Sequence, residues 1–315
     1  MKLTILDGNA VNPGDVSWDL FKKYADITVF PRSSEKEVIS RIAESDAVFL
    51  NKIRIDENVI SHCPNLKYIG VLATGYDVID IPAVKKAGIC VTNIPSYSTM
   101  AVAQHVFSLI TFFTNHISAH NDSVQNGEWI KSPDFCYWEK PLSELYGKTL
   151  GILGYGNIGR QVAKIAEAFG MNVIVCPHRP SADIPNCVTQ EKLWDQSDFI
   201  TLHAPLTAET AGIINKSSID KMKDGAYIIN TARGGLVAED DVRSALETGK
   251  IAGYGCDVLS SEPMKDSCPL YRAPNCVITP HIAWAPLETR ERLIKIAFDN
   301  FESWIQGKPK NMIYR

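Results

Sequence analysis

The chain has 315 residues, 45 % hydrophobic and 22 % charged, with a formal net charge of −4. That length is generous for one core and comfortable for two domains. The charge balance lacks the basic excess with which a nucleic-acid binder displaces counterions, and the most apolar helical stretch, Val102 to Ile117, carries His105, Asn115 and His116 and falls short of the ~18 residues a membrane span requires.

Lys2-Leu3-Thr4-Ile5-Leu6-Asp7 follows Met1 directly and reads as a strand, with no secretory signal. Apolar runs then recur at Ile27 to Val29, Ala47 to Leu50, Tyr68 to Val71 and Ile89 to Val91, separated by helix-like segments at Trp18 to Tyr24, Glu35 to Glu44, Glu57 to Ser61 and Ile81 to Lys86. Continuous apolar strands alternating with amphipathic helices predict a parallel sheet covered on both faces.

Pro95 in Asn93-Ile94-Pro95-Ser96 ends this run, and Ser98 or Thr99 can cap a new helix. No Gly or Pro interrupts the chain from there to Gly127, so one long helix is expected, either a linker with an oligomer interface or a large core helix. A second α/β run begins at Gly147, with strands at Leu150 to Leu153, Val173 to Val175, Phe199 to Leu202, Ala226 to Ile229, Ala252 to Cys256 and Val277 to Ile278. Pro286 precedes a final helix, Leu287 to Ile305, whose apolar face reads Leu293, Ile296, Ala297, Phe301, Trp304 and Ile305. That helix is expected to return to the first domain. The eight cysteines are scattered without a C-x-x-C pair, which predicts reduced, mostly buried thiols, no metal site and a cytoplasmic chain.

Gly154-Tyr155-Gly156-Asn157-Ile158-Gly159 is a G-x-G-x-x-G directly between a strand and a helix predicted over Arg160 to Phe169. In that setting the pattern reads as a dinucleotide fingerprint: Gly154 for the turn, Gly156 for close approach to a pyrophosphate, Gly159 for helix-on-strand packing, and a helix N-terminus for the phosphates. The next strand ends at Cys176-Pro177-His178-Arg179, with no acid until Asp183. An acid about 20 residues on normally takes the ribose 2′-hydroxyl of NAD. Its absence leaves room for a 2′-phosphate, with Arg179 as its partner and His178 assisting. The cofactor is therefore read as NAD(P)(H), leaning to NADP or dual use.

Over nearly its whole length the sequence resembles the D-isomer-specific 2-hydroxyacid dehydrogenases. The resemblance rests on Leu72-Ala73-Thr74-Gly75-Tyr76-Asp77, Ser98-Thr99 to Gln104, Gly147 to Ile152, His203-Ala204-Pro205-Leu206-Thr207, Asn230-Thr231-Ala232-Arg233-Gly234-Gly235, Asp257-Val258 to Glu262-Pro263, and Thr279-Pro280-His281-Ile282-Ala283. Pro133 to Trp138, and Trp284 after His281, look like the family's glycerate dehydrogenase/hydroxypyruvate reductase branch. The resemblance implies two doubly wound parallel-sheet domains. A Rossmann cofactor domain, 96–285, would be inserted into a flavodoxin-like substrate domain, 1–95 with 286–315. It also implies a homodimer through the cofactor domains.

The implied reaction moves a hydride between NAD(P)H and a small 2-keto acid, hydroxypyruvate or glyoxylate being favoured, to give the D-2-hydroxy acid. Such a reaction needs a group that holds the carboxylate and polarises the keto oxygen, and a proton donor. The matching positions assign the first role to Arg233, a guanidinium at a strand end beside Gly234-Gly235. They assign the second to His281, and Glu262 would accept a hydrogen bond from it and stabilise its charged form. They further imply substrate contacts from Asn51, from the backbone of Leu72, Ala73, Thr74 and Gly75, and from Trp138 and Trp284. Cofactor contacts are implied from Thr99, Asn157, Ile158, Pro205, Thr231 and Ala232, with Asp257 orienting the nicotinamide carboxamide. The alternatives are a dinucleotide-sensing, corepressor-like interaction protein and a dehydrogenase of another small acid.

Overall fold

The computed structural model describes every residue except Pro180, Ala182 and Arg315. The chain divides into Met1–Ser98 with Ala285–Arg315, and Thr99–Trp284.

The first unit runs β1 (Lys2–Ile5), β2 (Asp26–Val29), α1 (Glu35–Ile42), β3 (Ala47–Leu50), α2 (Glu57–Ser61), β4 (Tyr68–Val71), α3 (Ile81–Lys86) and β5 (Cys90–Thr92). All pairings are parallel, in the order β2-β1-β3-β4-β5. β3 and β4 are buried along their whole length, as expected of strands covered on both faces, whereas edge strand β2 stays largely exposed. The helices start where side chains satisfy their first N–H groups: Ser34 and Glu37 form a capping box on α1, Asp56 caps α2, and Asp80 caps α3. The segment expected as a helix at Trp18 to Tyr24 is instead a 3₁₀ turn, Asp19–Lys23.

The C-terminal helix, Leu287–Ile305, packs on this same sheet, with Phe301 edge-on to Tyr68 at 5.3 Å and to Phe49 at 5.9 Å. Its buried stripe holds Leu293, Ile294, Ala297, Phe298 and Phe301, while Ile296, Trp304 and Ile305, expected on that face, are only half-buried. Ile296 falls on the margin of the stripe and Ile305 on the last turn. Near its start, Arg290 forks onto both oxygens of Asp15 at 2.5 and 2.7 Å.

The second unit runs α4 (Thr99–Asn115), α5 (Ile117–Gln125), α6 (Glu128–Lys131), β6 (Thr149–Leu153), α7 (Asn157–Ala168), β7 (Asn172–Cys176), α8 (Gln190–Gln196), β8 (Phe199–Leu202), α9 (Lys216–Asp220), β9 (Ala226–Asn230), α10 (Glu239–Glu247), β10 (Ile251–Cys256) and β11 (Cys276–Ile278). The sheet is parallel, in the order β11-β10-β9-β8-β6-β7. The chain reverses direction across the sheet between β6 and β8, so the carboxyl ends there form the crevice where open α/β sheets bind ligands.

The single long helix expected from Ser98 to Gly127 is broken. His116 turns left-handed at φ +47°, and the Thr114 carbonyl accepts Ser143 N–H at 3.1 Å instead of continuing the helical ladder. Thr, Asn and His are weak helix formers, and His tolerates the left-handed region better than most residues. The sequence carried no Gly or Pro to mark the break. Helix α7 starts three residues earlier than expected, inside the glycine fingerprint. All eight cysteines are free, but only Cys63, Cys90 and Cys256 are fully buried; Cys136 and Cys187 are exposed. The expectation of mostly buried thiols fails, because Cys176, Cys268 and Cys276 are only half-buried and the two exposed ones lie outside the strands. Among the described residues no helix is long and apolar enough to cross a membrane.

Candidate active site

The chemistry-bearing residues of the second unit follow the carboxyl ends of its strands. After β6 the glycine loop turns at Gly154, φ +93°, where a Cβ would meet the backbone of His203 and Ala204 at 2.6 Å. A Cβ on Gly159 would lie 2.3 Å from the Gly154 carbonyl, so helix and turn close on each other only through glycine. Gly156 differs: a Cβ there would meet nothing, and the residue sits at the N-cap of α7 facing open space. Thr231, after β9, has a buried hydroxyl without a hydrogen-bond partner. Open room at a helix N-terminus and an orphaned buried hydroxyl suit a dinucleotide with its phosphates at Gly156–Gly159 and a polar group at Thr231.

The β9 end is built by Asn230, which is fully buried. Its Oδ1 accepts Ala232 N–H at 3.0 Å and its Nδ2 donates to the Arg233 carbonyl at 2.9 Å, clamping a turn around Thr231 and Ala232. Arg233 leaves this turn exposed. Its guanidinium donates to the Ala232 carbonyl at 2.7 Å and meets no carboxylate among the described residues. It is a fixed cation with its charge still open. A Cβ on the following Gly234 would lie 1.9 Å from the Leu259 backbone, so this turn packs directly on the one after β10.

That second turn carries Glu262. Its Oε1 accepts Leu259 N–H at 3.0 Å, and its Oε2 lies 2.7 Å from His281 Nδ1. Both side chains are about one-third exposed, 36 % and 31 %. An acceptor-only carboxylate at Nδ1 fixes the proton there and leaves Nε2 as the outward nitrogen. His281 itself has φ +56°, a backbone state that costs a non-glycine residue on the order of 1 kcal/mol. The cost is met by Asp257, which is 1 % exposed. Its carboxylate accepts Thr279 Oγ1–H at 2.5 Å, Ile282 N–H at 2.8 Å and Ala283 N–H at 2.8 Å. Asp257 was expected against the nicotinamide carboxamide. With both oxygens turned inward, it first of all holds the His281 turn.

His203 also follows a strand end of this unit, β8. Desolvation pushes its imidazole down to about 3, so it stays neutral at working pH and is excluded as a proton donor. It hydrogen-bonds Thr201 Oγ1 at 2.9 Å instead.

In the first unit, the proposed carboxylate loop is braced from below. Buried Asp7 accepts Asn51 N–H at 2.8 Å and Lys52 N–H at 2.7 Å, and burial raises its carboxyl above the usual range. Asn51 Nδ2 donates to the Leu72 carbonyl at 2.7 Å, and Leu72 N–H donates to Leu50 at 2.7 Å. Thr74 Oγ1 donates to the Ile94 carbonyl at 2.8 Å. Asn51 Nδ2 and Leu72 N–H are thus engaged within the unit and brace the loop Ala73 to Gly75.

The other expected residues lie at further points of the chain. His178 and Arg179 lie exposed beyond β7, and Pro205 is exposed after β8, its carbonyl accepting Thr210 Oγ1–H at 2.6 Å. Thr99 opens α4, Trp138 is 66 % exposed, and Trp284 is half-buried at the end of the second unit. The sequence reading missed Asn230, Asp7 and Thr279. Asn230 had a signal, an Asn between a strand and a turn; Asp7 and Thr279 had none beyond position.

Residues 107–283 match the family model described as D-isomer specific 2-hydroxyacid dehydrogenase, NAD binding domain. The chain belongs to this family. It is 46 % identical to a hydroxypyruvate reductase of Blautia hydrogenotrophica, over 99 % of each chain. It is 41 % identical to a glycerate dehydrogenase of Methylorubrum extorquens, over 88 % of each. Among solved structures, an acyclic imino acid reductase in complex with NADPH and D-Arg superposes with a TM-score of 0.86 at 33 % identity, over 100 % of both chains. The D-lactate dehydrogenase of Aquifex aeolicus complexed with NAD and lactic acid gives 0.83 at 30 %, over 98 % of this chain and 96 % of the other. The doubly wound α/β architecture of both units is that of the family.

Removing the Glu262 charge while keeping its shape tests the pair. With Glu262→Gln the partner at His281 Nδ1 is no longer acceptor-only and no longer fixes the ring proton there. The kcat for keto-acid reduction should fall; an unchanged kcat would take Glu262 out of this role.

Proposed function

We propose that the chain reduces a small 2-keto acid, hydroxypyruvate or glyoxylate, to the D-2-hydroxy acid with a reduced nicotinamide dinucleotide. The observation that carries this reading is the uncompensated Arg233 guanidinium on a turn packed against the turn that carries Glu262 and its partner His281. Arg233 binds the substrate carboxylate and polarises the keto oxygen. His281, oriented by Glu262 at Nδ1, gives its Nε2 proton to that oxygen in reduction and takes it back in oxidation. The first unit binds substrate through the N–H groups of Ala73 to Gly75. The second binds the cofactor through Gly154 to Gly159, Thr231 and Ala232. When bound, the nicotinamide supplies the hydride. The identity of the hydroxypyruvate reductase and glycerate dehydrogenase relatives favours a three-carbon acid.

The same reading extends to cofactor choice. With no acid directly after β7 and with Arg179 exposed there, the chain uses NADPH at least as well as NADH. Arg179→Ala should raise KM for NADPH about tenfold or more, the loss of one charge-assisted contact, and leave KM for NADH within about twofold. Equal effects on both would sink the assignment. The exposed apolar side chains of Ile117, Trp129, Ile130 and Phe135 support a homodimer through the second unit, and eight free thiols suit a reducing cytoplasm.

A panel of hydroxypyruvate, glyoxylate, pyruvate and a branched 2-keto acid, each with NADH and NADPH, tests the function. Turnover highest with hydroxypyruvate or glyoxylate supports it, and no oxidation of either cofactor with any acid overturns it.

A further inference from the structure

His105 belongs to helix α4, 174 residues from Thr279 in the chain, and the mechanism above does not use it. Its Nε2 lies 2.9 Å from Thr279 Oγ1 and 3.7 Å from Asp257 Oδ1. The side chain is 19 % exposed, so the contact is made largely out of water. Proton bookkeeping orders the chain. Asp257 can only accept, so the single Thr279 hydroxyl proton goes to it at 2.5 Å. Thr279 Oγ1 must then accept from His105, which fixes a proton on Nε2. The same oxygen, Asp257 Oδ1, also accepts Ile282 N–H, and Oδ2 accepts Ala283 N–H. Those two N–H groups, with His281 N–H donating to the Thr279 carbonyl at 2.9 Å, define the left-handed turn at His281.

We infer that His105 is a positioning residue for proton transfer: acting through the Thr279 hydroxyl and Asp257, it sets the placement of the His281 ring against the substrate. The inference rests on the reading of His281 as the proton donor. Without the His105 N–H, the Thr279 hydroxyl loses its donor and is free to rotate toward the Cys256 carbonyl, already 3.5 Å away. Asp257 would then lose its hydroxyl donor, and the turn one of its fixed points. A reacting group misplaced by about an ångström costs on the order of a hundredfold in rate, so a partial loosening should cost about tenfold or more. Cofactor binding, which depends on the glycine loop, should not change.

The test uses His105→Leu, His105→Gln, Thr279→Val and the double variant His105→Leu/Thr279→Val, with His281→Gln alongside. Each full-length enzyme is assayed for hydroxypyruvate reduction and for NADH and NADPH binding by fluorescence. Expected are a kcat about tenfold or more lower for His105→Leu, with cofactor Kd within about twofold, and recovery to within about threefold in His105→Gln, whose amide N–H reaches the same atom. The double variant should be no slower than Thr279→Val, since both changes cut one chain. Thr279→Val is nearly isosteric and keeps the test open if His105→Leu does not fold. A wild-type kcat in His105→Leu, a Gln variant as slow as the Leu variant, or additive losses in the double variant would overturn the inference. Wild-type kcat in His281→Gln would instead overturn the reading beneath it.

Discussion

His281→Gln should lower kcat for 2-keto-acid reduction by about 10²–10⁴-fold, the usual contribution of a positioned general acid, while cofactor affinity stays within about twofold. Glutamine can keep a hydrogen bond to Glu262 but has no proton of suitable acidity to give. Three observations support this residue as the proposed donor. His281 sits 2.7 Å from a carboxylate that fixes its Nδ1 proton. Its turn is held in a strained conformation by a buried aspartate. His203, after β8, is kept neutral by desolvation. A variant that retains most of its kcat would mean that water or another group delivers the proton.

Arg233→Ala should lower kcat/KM by about 30- to 5,000-fold, since truncating one partner of a desolvated charge pair costs about 2–5 kcal/mol. Arg233→Lys should recover little of this. A lysine ammonium cannot present the planar fork that engages a carboxylate and a keto oxygen together. The loss should fall on both kcat and KM, because the guanidinium meets the ground-state carboxylate and the charge developing on the keto oxygen. Folding should be little affected, because the side chain is exposed and its one hydrogen bond runs to the neighbouring carbonyl. A lysine variant as active as the parent would show that a point charge suffices and would remove the bidentate role.

What the sequence revealed depended on how local each feature is. The glycine loop is a local object: its turn, phosphate room and helix start lie within six residues, and flanking strand and helix make it readable. Strand bounds were legible to within a residue or two, because parallel strands buried on both faces are continuous apolar runs. The C-terminal helix was read with the bounds it has, Leu287–Ile305, since Pro286 and helical spacing mark it. The break at His116 was not legible, because its cause is a carbonyl captured by Ser143 N–H, 29 positions away. The proximity of Glu262 and His281, 19 residues apart, came only through family resemblance, since no spacing rule joins two separate strand ends. The inward turn of Asp257 and the bracing role of Asn51 depend on hydrogen-bond directions that residue identity does not encode. The same holds for the contact of His105 with Thr279, which exists only once α4 packs beside the sheet.

The most direct test of the central claim is the configuration of the product. With hydroxypyruvate and NADPH, the enzyme should form glycerate in a one-to-one ratio to the cofactor oxidised, and chiral chromatography should find only the D-isomer. L-glycerate, a racemate, or cofactor oxidation without glycerate would contradict the account.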